Sequence, residues 1–401
     1  MQMSHRIDGF QCSPIRRLSP YAREAAAKGI KVYHLNIGQP DIKTPEPALK
    51  AVHDYSAKTI AYGPSEGLPE LREALSDYYK GYNCQVDPED ILITTGGSEA
   101  IQFSFMTVCD PYDEVIIPEP YYTNVASFAN VAMVNLVPVT SRMDDGFVLP
   151  TIDDFEGKIT RKTGAILLCN PNNPTGHVYT REELLQLLKL VKKHDIFLIV
   201  DEVYREFCYD GKNFVSVLSF PEYADRVVCI DSFSKRFSMC GSRVGAIVTK
   251  NKEFLGGVLK LCQARLCPPD IEQHAALAAL RADETAYIAE VKKEYQERRN
   301  VLVRGLHDID GVKCNTPKGA FYLVAELPVD DAEKFALFML RDFNLDGETV
   351  MVAPCADFYV HKELGTRQVR LAYVINPNDL RHALKCLAAG LKAYRRQMMH
   401  D

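Results

Sequence analysis

Apolar residues in this chain gather into short blocks separated by longer amphipathic stretches. The blocks at 91–94, 114–118, 165–169, 197–200 and 227–230 are four or five residues long, and turn formers or charges bound them. Such runs predict strands buried on both faces. Between the third and fourth blocks, Leu184, Leu185, Leu188 and Val191 follow helical spacing, and Thr180 with Glu183 forms a capping box at the start. Strand and helix in alternation predict an α/β fold with a mostly parallel sheet covered by helices. Right-handed crossovers would bring the carboxyl ends of those strands to one edge, so the loops after them converge on a common crevice.

The pattern changes toward the carboxyl terminus. Residues 283–306 read as a long charged helix with Tyr287, Val291, Tyr295 and Val301 available to pack. From about residue 311, strand-like runs at 320–324 and 368–374 alternate with helices at 331–343 and after 378, as in a small α+β domain. No internal repeat or low-complexity tract interrupts the chain.

Composition narrows the classes. The 401 residues are 47% hydrophobic and 25% charged, enough for a large domain and a smaller one. The net charge of −6 comes with scattered Lys and Arg, which argues against a nucleic-acid surface and points to small-molecule ligands. No apolar run reaches the roughly 18 residues of a membrane span, and the first residues lack the apolar core of a signal peptide, so a cytoplasmic protein without membrane contact is expected. The 12 cysteines show no paired metal spacing; Cys169 and Cys229 fall in strand-like runs, as buried thiols do. No metal site is expected.

Every unusual motif lies at the end of a predicted strand. The run 227–230 passes into Asp231, Ser232, Phe233, Ser234 and Lys235, then into Gly241, Ser242, Arg243 and Gly245. Taken alone, Lys235 is one of 47 Lys and Arg, most of which sit in water. Its place at a strand end beside small residues makes it a candidate reactive amine, with Ser232 and Arg243 able to hold a phosphate. Thr94 to Ala100 contains Gly97 and Ser98 at a helix start, where backbone N–H groups face an anion. Asn170-Pro171-Asn172-Asn173-Pro174-Thr175-Gly176 is either a plain surface turn or a loop whose prolines fix asparagine amides for a ligand. Asp201 ends an apolar strand and needs a partner against desolvation, which a protonated ring nitrogen would be, with a helix cap or a structural salt bridge as the competing explanation. Tyr204 follows on the same loop.

In this order along the chain, 170–176, Asp201-Glu202-Val203-Tyr204, Ser232-Phe233-Ser234-Lys235 with Arg243, and Arg370 in Arg-Leu-Ala-Tyr resemble the class I, fold type I pyridoxal phosphate-dependent aminotransferases, closest to the bacterial aspartate aminotransferases. The resemblance covers essentially the whole chain. It implies a large domain at 47–300 with a mostly parallel seven-stranded sheet, and a smaller α+β domain at 301–401 joined by residues 1–46. It makes Lys235 the Schiff-base lysine and catalytic base, Asp201 the partner of the pyridine nitrogen, and Tyr204 and Asn173 donors to the ring oxygen. Tyr122 would stack on the ring, where relatives often carry Trp or Phe. Gly97, Ser98, Ser232 and Arg243 would hold the phosphate.

The resemblance also implies that Arg370 takes the substrate α-carboxylate, helped by Gly38 and Asn173, and that Tyr62 reaches the phosphate of a neighbouring subunit in a homodimer with shared active sites. Lys235 must be neutral when free, which a cationic Schiff base and Arg243 would favour. Amino donor and 2-oxo acid acceptor are the expected partners, aspartate and 2-oxoglutarate being the first choice. Arg265 is the candidate reader of a side-chain carboxylate, with a structural salt bridge as its alternative. Donors such as alanine, aromatic amino acids or kynurenine remain open, as does a cysteine-conjugate β-lyase. A cofactor-binding regulator would carry a DNA-binding module ahead of this region, for which the first few dozen residues leave no room.

Overall fold

The computed structural model describes residues 3, 4, 7, 10, 12–282 and 284–398. Two larger sheets and one two-stranded pair organise it. The larger has seven strands in the spatial order Ile91–Thr94, Gly245–Val248, Val227–Ser232, Phe197–Asp201, Thr163–Cys169, Glu114–Glu119 and Asn135–Thr140. All neighbours from Val227–Ser232 to Asn135–Thr140 pair in parallel; Gly245–Val248 alone runs against its neighbours. Alternate residues of the inner strands enter different cores. Ile166, Leu168, Leu198, Val200, Val227 and Cys229 pack on one face, and Leu167, Ile199, Val228 and Ile230 on the other. Both faces are apolar because helices cover both.

The five expected strands form, and two more join them. Asn135–Thr140 is an edge strand of mixed exposure containing Pro138, and Gly245–Val248 is only four residues long, so neither makes a long apolar run. Thr180 caps the helix Arg181–His194: its Oγ accepts from the Glu183 N–H at 3.2 Å, and the Glu183 carboxylate accepts from the Thr180 N–H at 2.7 Å.

The second sheet is antiparallel, in the order Ala353–Pro354, Gln368–Ala372, Tyr322–Glu326 and Lys313–Cys314. The helices Ala332–Arg341 and Pro377–Met398 pack with it around one core. Near the amino terminus, Lys31–His34 pairs in parallel with Glu348–Met351, and the Leu35 carbonyl accepts from the Ala372 N–H at 2.8 Å. The long helix spans Glu284–His307 and buries Val291 and Tyr295; its expected first residue, Asp283, lies outside the described residues. All 12 cysteines are free thiols, and no helix among the described residues is long and apolar enough to cross a membrane.

Candidate active site

A cleft of about 470 Å³ opens at the carboxyl ends of the parallel strands. Eleven of the expected site residues border it: Gly38, Gly97, Ser98, Tyr122, Asn173, Asp201, Tyr204, Ser232, Lys235, Arg243 and Arg370. They come from the ends of five strands of the large sheet and the loops after them, and from both ends of the chain, as the crossover rule anticipates.

Lys235 sits in a single helical turn, Phe233–Arg236, which Ser232 caps through its Oγ and the Ser234 N–H. Its Nζ donates to the Gly38 carbonyl at 2.8 Å and to Cys240 Sγ at 3.6 Å. Burial alone would lower the pKa of this amine, yet Tyr322, Cys240 and Tyr122 outweigh it and raise the value. The phenols and thiol around Lys235 favour the ammonium, against the neutral amine expected of a cationic Schiff base and Arg243 together.

Two aspartates end adjacent strands with opposite results. Asp231 is fully buried and burial opposes its charge, but Arg205 at 3.3 Å and Arg236 at 2.7 Å pull its carboxyl down to about 2. Asp201 borders the cleft with one direct donor, the Val203 N–H at 3.3 Å, and burial pushes its carboxyl up to about 7. A carboxyl group without an ion-pair partner among the described residues, bordering the cleft, fits a ring nitrogen that carries a proton.

The helix start that borders the cleft fits an anion. The helix Gly96–Val108 opens at the cleft with Gly97 and Ser98 in its first turn. Arg243 adopts φ 55° and its guanidinium donates to the Cys240 carbonyl at 3.0 Å. A Cβ on Gly96 would stand 2.4 Å from that guanidinium, so the missing side chain admits Arg243. The Ser232 hydroxyl is shared with Ser234 Oγ at 2.9 Å and the Val244 carbonyl at 3.2 Å.

Arg370 lies on an inner strand of the small sheet and is 1% exposed, which rules out a solvated edge position. It donates to Asn173 Oδ1 at 3.1 Å and to the Asn36 carbonyl at 2.6 Å, and its Nε has no partner among the described residues. An unpaired N–H on a buried guanidinium is what an incoming carboxylate would satisfy. Asn173 Nδ2 in turn approaches the Tyr204 hydroxyl at 3.5 Å, and that hydroxyl meets Tyr322 OH at 3.1 Å.

Tyr62 and Arg265 do not reach this cleft within the chain. Tyr62 is 80% exposed. Arg265 donates to the Ser65 carbonyl at 3.1 Å and lies 3.6 Å from Glu99, the salt-bridge arrangement weighed as its alternative. Sequence reasoning missed Tyr322, Cys240, Ser234, Gly96 and Arg16. Cys240 and Ser234 had a signal, their closeness to Lys235 along the chain. Tyr322 had one only in retrospect: a Cβ on Gly38 would fall 1.7 Å from its hydroxyl, so the glycine makes room for the phenol.

A lysine, an unpaired carboxylate, an anion cradle and a buried arginine, gathered at the strand ends of a mostly parallel sheet, define a fold type I pyridoxal phosphate-dependent aminotransferase. Residues 30–387 match the family described as Aminotransferase class I and II, and the chain belongs to that family. It is 32% identical over 394 residues to the aspartate/prephenate aminotransferase of Thermus thermophilus, covering 97% of this chain and 98% of that protein. The solved structure of aspartate aminotransferase from Thermus thermophilus with maleate superposes with a TM-score of 0.87 at 30% identity, over 97% of this chain and 100% of that one. Alanine aminotransferase from Pyrococcus furiosus superposes with a TM-score of 0.89 at 30% identity, over 98% and 100%.

Proposed function

We propose that this aminotransferase moves the amino group of L-aspartate to 2-oxoglutarate, using pyridoxal phosphate bound in the cleft. The unpaired Asp201 carboxyl, raised to about 7, is the observation that carries the cofactor reading. The aspartate names of its relatives and the maleate in one of them support a dicarboxylate substrate. Bound there, pyridoxal phosphate would act as the electron sink for the substrate Cα.

The residues divide the remaining work. Asp201 would keep the ring nitrogen protonated, and Tyr204 with Asn173 would donate to the ring oxygen. Gly97, Ser98, Ser232 and Arg243 would surround the phosphate, and Tyr122 would cover the ring. Arg370 would take the α-carboxylate through its free Nε and the donor now spent on Asn173, orienting Cα toward Lys235. Lys235 Nζ, as the free amine, would remove the Cα proton and return it. Because Tyr322, Cys240 and Tyr122 favour its ammonium, this lysine must first lose a proton.

We propose further that the active protein is a homodimer, with Tyr62 entering the neighbouring cleft, and that residues 1–46 and 301–401 form the small domain against 47–300. The pairing of Lys31–His34 with Glu348–Met351 supports that grouping. The likeness to an alanine aminotransferase favours a second reading, a monocarboxylate donor. Steady-state assays across aspartate, alanine, aromatic amino acids and kynurenine separate them. Aspartate should exceed alanine in kcat/KM by about tenfold or more, and parity between the two would sink the aspartate reading. Release of pyruvate and a thiol from cysteine conjugates without an oxo acid would instead identify a β-lyase.

A further inference from the structure

Three arginines border the cleft, and their surroundings differ. Arg243 is held by the Cys240 carbonyl next to Gly96, and Arg370 by Asn173 and Asn36. The Arg16 guanidinium has no hydrogen bond or ion pair to any described residue.

Its freedom is confined to the side chain. On one side Ile15 is buried, and its carbonyl accepts from Asn36 Nδ2 at 2.7 Å. On the other, Arg17 pairs with Asp357 and Glu333 at 2.5 Å each. The Arg16 N–H itself donates to the Ser13 carbonyl at 2.9 Å. Two consecutive arginines thus meet opposite conditions: Arg17 has two carboxylates, and Arg16 has none. An exposed guanidinium on a pinned backbone, bordering a ligand cleft and without a carboxylate partner among the described residues, is open to an anion the protein does not itself provide.

Asn36 shows which anion. Its carbonyl accepts from Arg370 at 2.6 Å while its side chain holds Ile15, so one buried residue ties the Arg16 segment to the arginine suited to the α-carboxylate. Burial raises the pKa of the Tyr122 phenol, and Lys235, Arg370 and Arg16 each act against that rise. Arg243 is held by the Cys240 carbonyl against Gly96, at the helix start suited to phosphate.

We propose that Arg16 binds the side-chain carboxylate of a dicarboxylate substrate whose α-carboxylate is held by Arg370, making it the residue that sets donor specificity. The inference rests on the dicarboxylate reading above and replaces Arg265 in that role. Arg265 bonds the Ser65 carbonyl and lies 3.6 Å from Glu99, outside this cleft, so its unpaired Nε and Nη1 would serve a cleft only through a second subunit.

The test compares wild-type, Arg16→Gln, Arg16→Lys and Arg265→Gln holoenzymes. The readouts are kcat/KM for aspartate and for alanine, and calorimetric Kd for succinate and for butyrate. Losing a charge-assisted pair should lower kcat/KM for aspartate in Arg16→Gln by roughly 10- to 100-fold and weaken succinate by a similar factor. Alanine and butyrate should stay within about twofold, and Arg16→Lys should recover part of the loss, since lysine keeps the charge without the fork. Equal losses for aspartate and alanine would mean a structural role and overturn the proposal. So would unchanged selectivity in Arg16→Gln while the wild type prefers aspartate; the dicarboxylate reading would then stand, with Arg265→Gln expected to lose the preference instead. A wild type indifferent to the distal carboxylate overturns both, and shows itself without any variant.

Discussion

At the scale of single residues, the contrast between Asp201 and Asp231 separates structure from chemistry. Asp231 has two guanidinium partners and Asp201 has none, although one strand neighbours the other. A carboxyl raised from 3.8 to about 7 contributes stability that is fully present below pH 4 and lost as pH rises through 7. Protein stripped of pyridoxal phosphate should therefore gain stability at pH 8 from Asp201→Asn, on the order of 2 kcal/mol after allowance for the opening to the cleft. Near pH 4 the variant and wild type should unfold alike in urea. Adding pyridoxal phosphate should reverse the order at pH 8, because only the wild type offers a carboxylate to the ring nitrogen; an unchanged order would remove Asp201 from that role. Asp201 was legible in the sequence because it ends an apolar run. Arg16 was not: nothing local distinguishes it from Arg17, and its difference arises from carboxylates on Glu333 and Asp357 far along the chain.

The elements that carry the site were legible where the cause is local. The capping box of Thr180 and Glu183 and the buried strands depend on neighbouring residues, and the structure follows them closely. Strand ends came out short by one or two residues, since Asp201 and Ser232 still pair although they are polar. Gly245–Val248 was missed because its register is set by pairing with Ile91–Thr94, not by its own pattern. The same close approach brings Gly96 against Arg243. Gly96→Ala would strain a backbone at φ 73° and push a methyl to within 2.4 Å of the guanidinium, so pyridoxal phosphate affinity should fall about tenfold or more. Thr180→Ala is the matched control. It should cost about 1 kcal/mol in chemical unfolding and leave cofactor affinity unchanged. If Gly96→Ala binds the cofactor as wild type does, Arg243 is not part of the cradle.

Over the whole molecule, the proposed dimer accounts for surface that a monomer would leave wet. Leu49 and Val52 on the helix Glu46–His53, then Ile60, Tyr62 and Leu266, are large exposed apolar side chains. Two of these stretches touch, because Arg265 next to Leu266 bonds the Ser65 carbonyl close to Tyr62. Single exposed apolar residues are ordinary, but a group of them beside a tyrosine that its own cleft does not use calls for a cover. A second copy would supply the cover and receive the phenol. The two sites can be told apart by placing Tyr62→Phe and Arg243→Gln together on one chain and pairing it with a wild-type chain. If each cleft is built from one chain, the hybrid keeps one intact site and about half the wild-type activity. If Tyr62 works across the interface, the wild-type cleft receives a ring without the hydroxyl and the altered cleft loses Arg243. Both then bind pyridoxal phosphate more weakly, by roughly tenfold for the lost charge-assisted hydrogen bond. Titration of the purified hybrid with pyridoxal phosphate should show no site of wild-type affinity, and a half-stoichiometric tight site would return Tyr62 to its own chain.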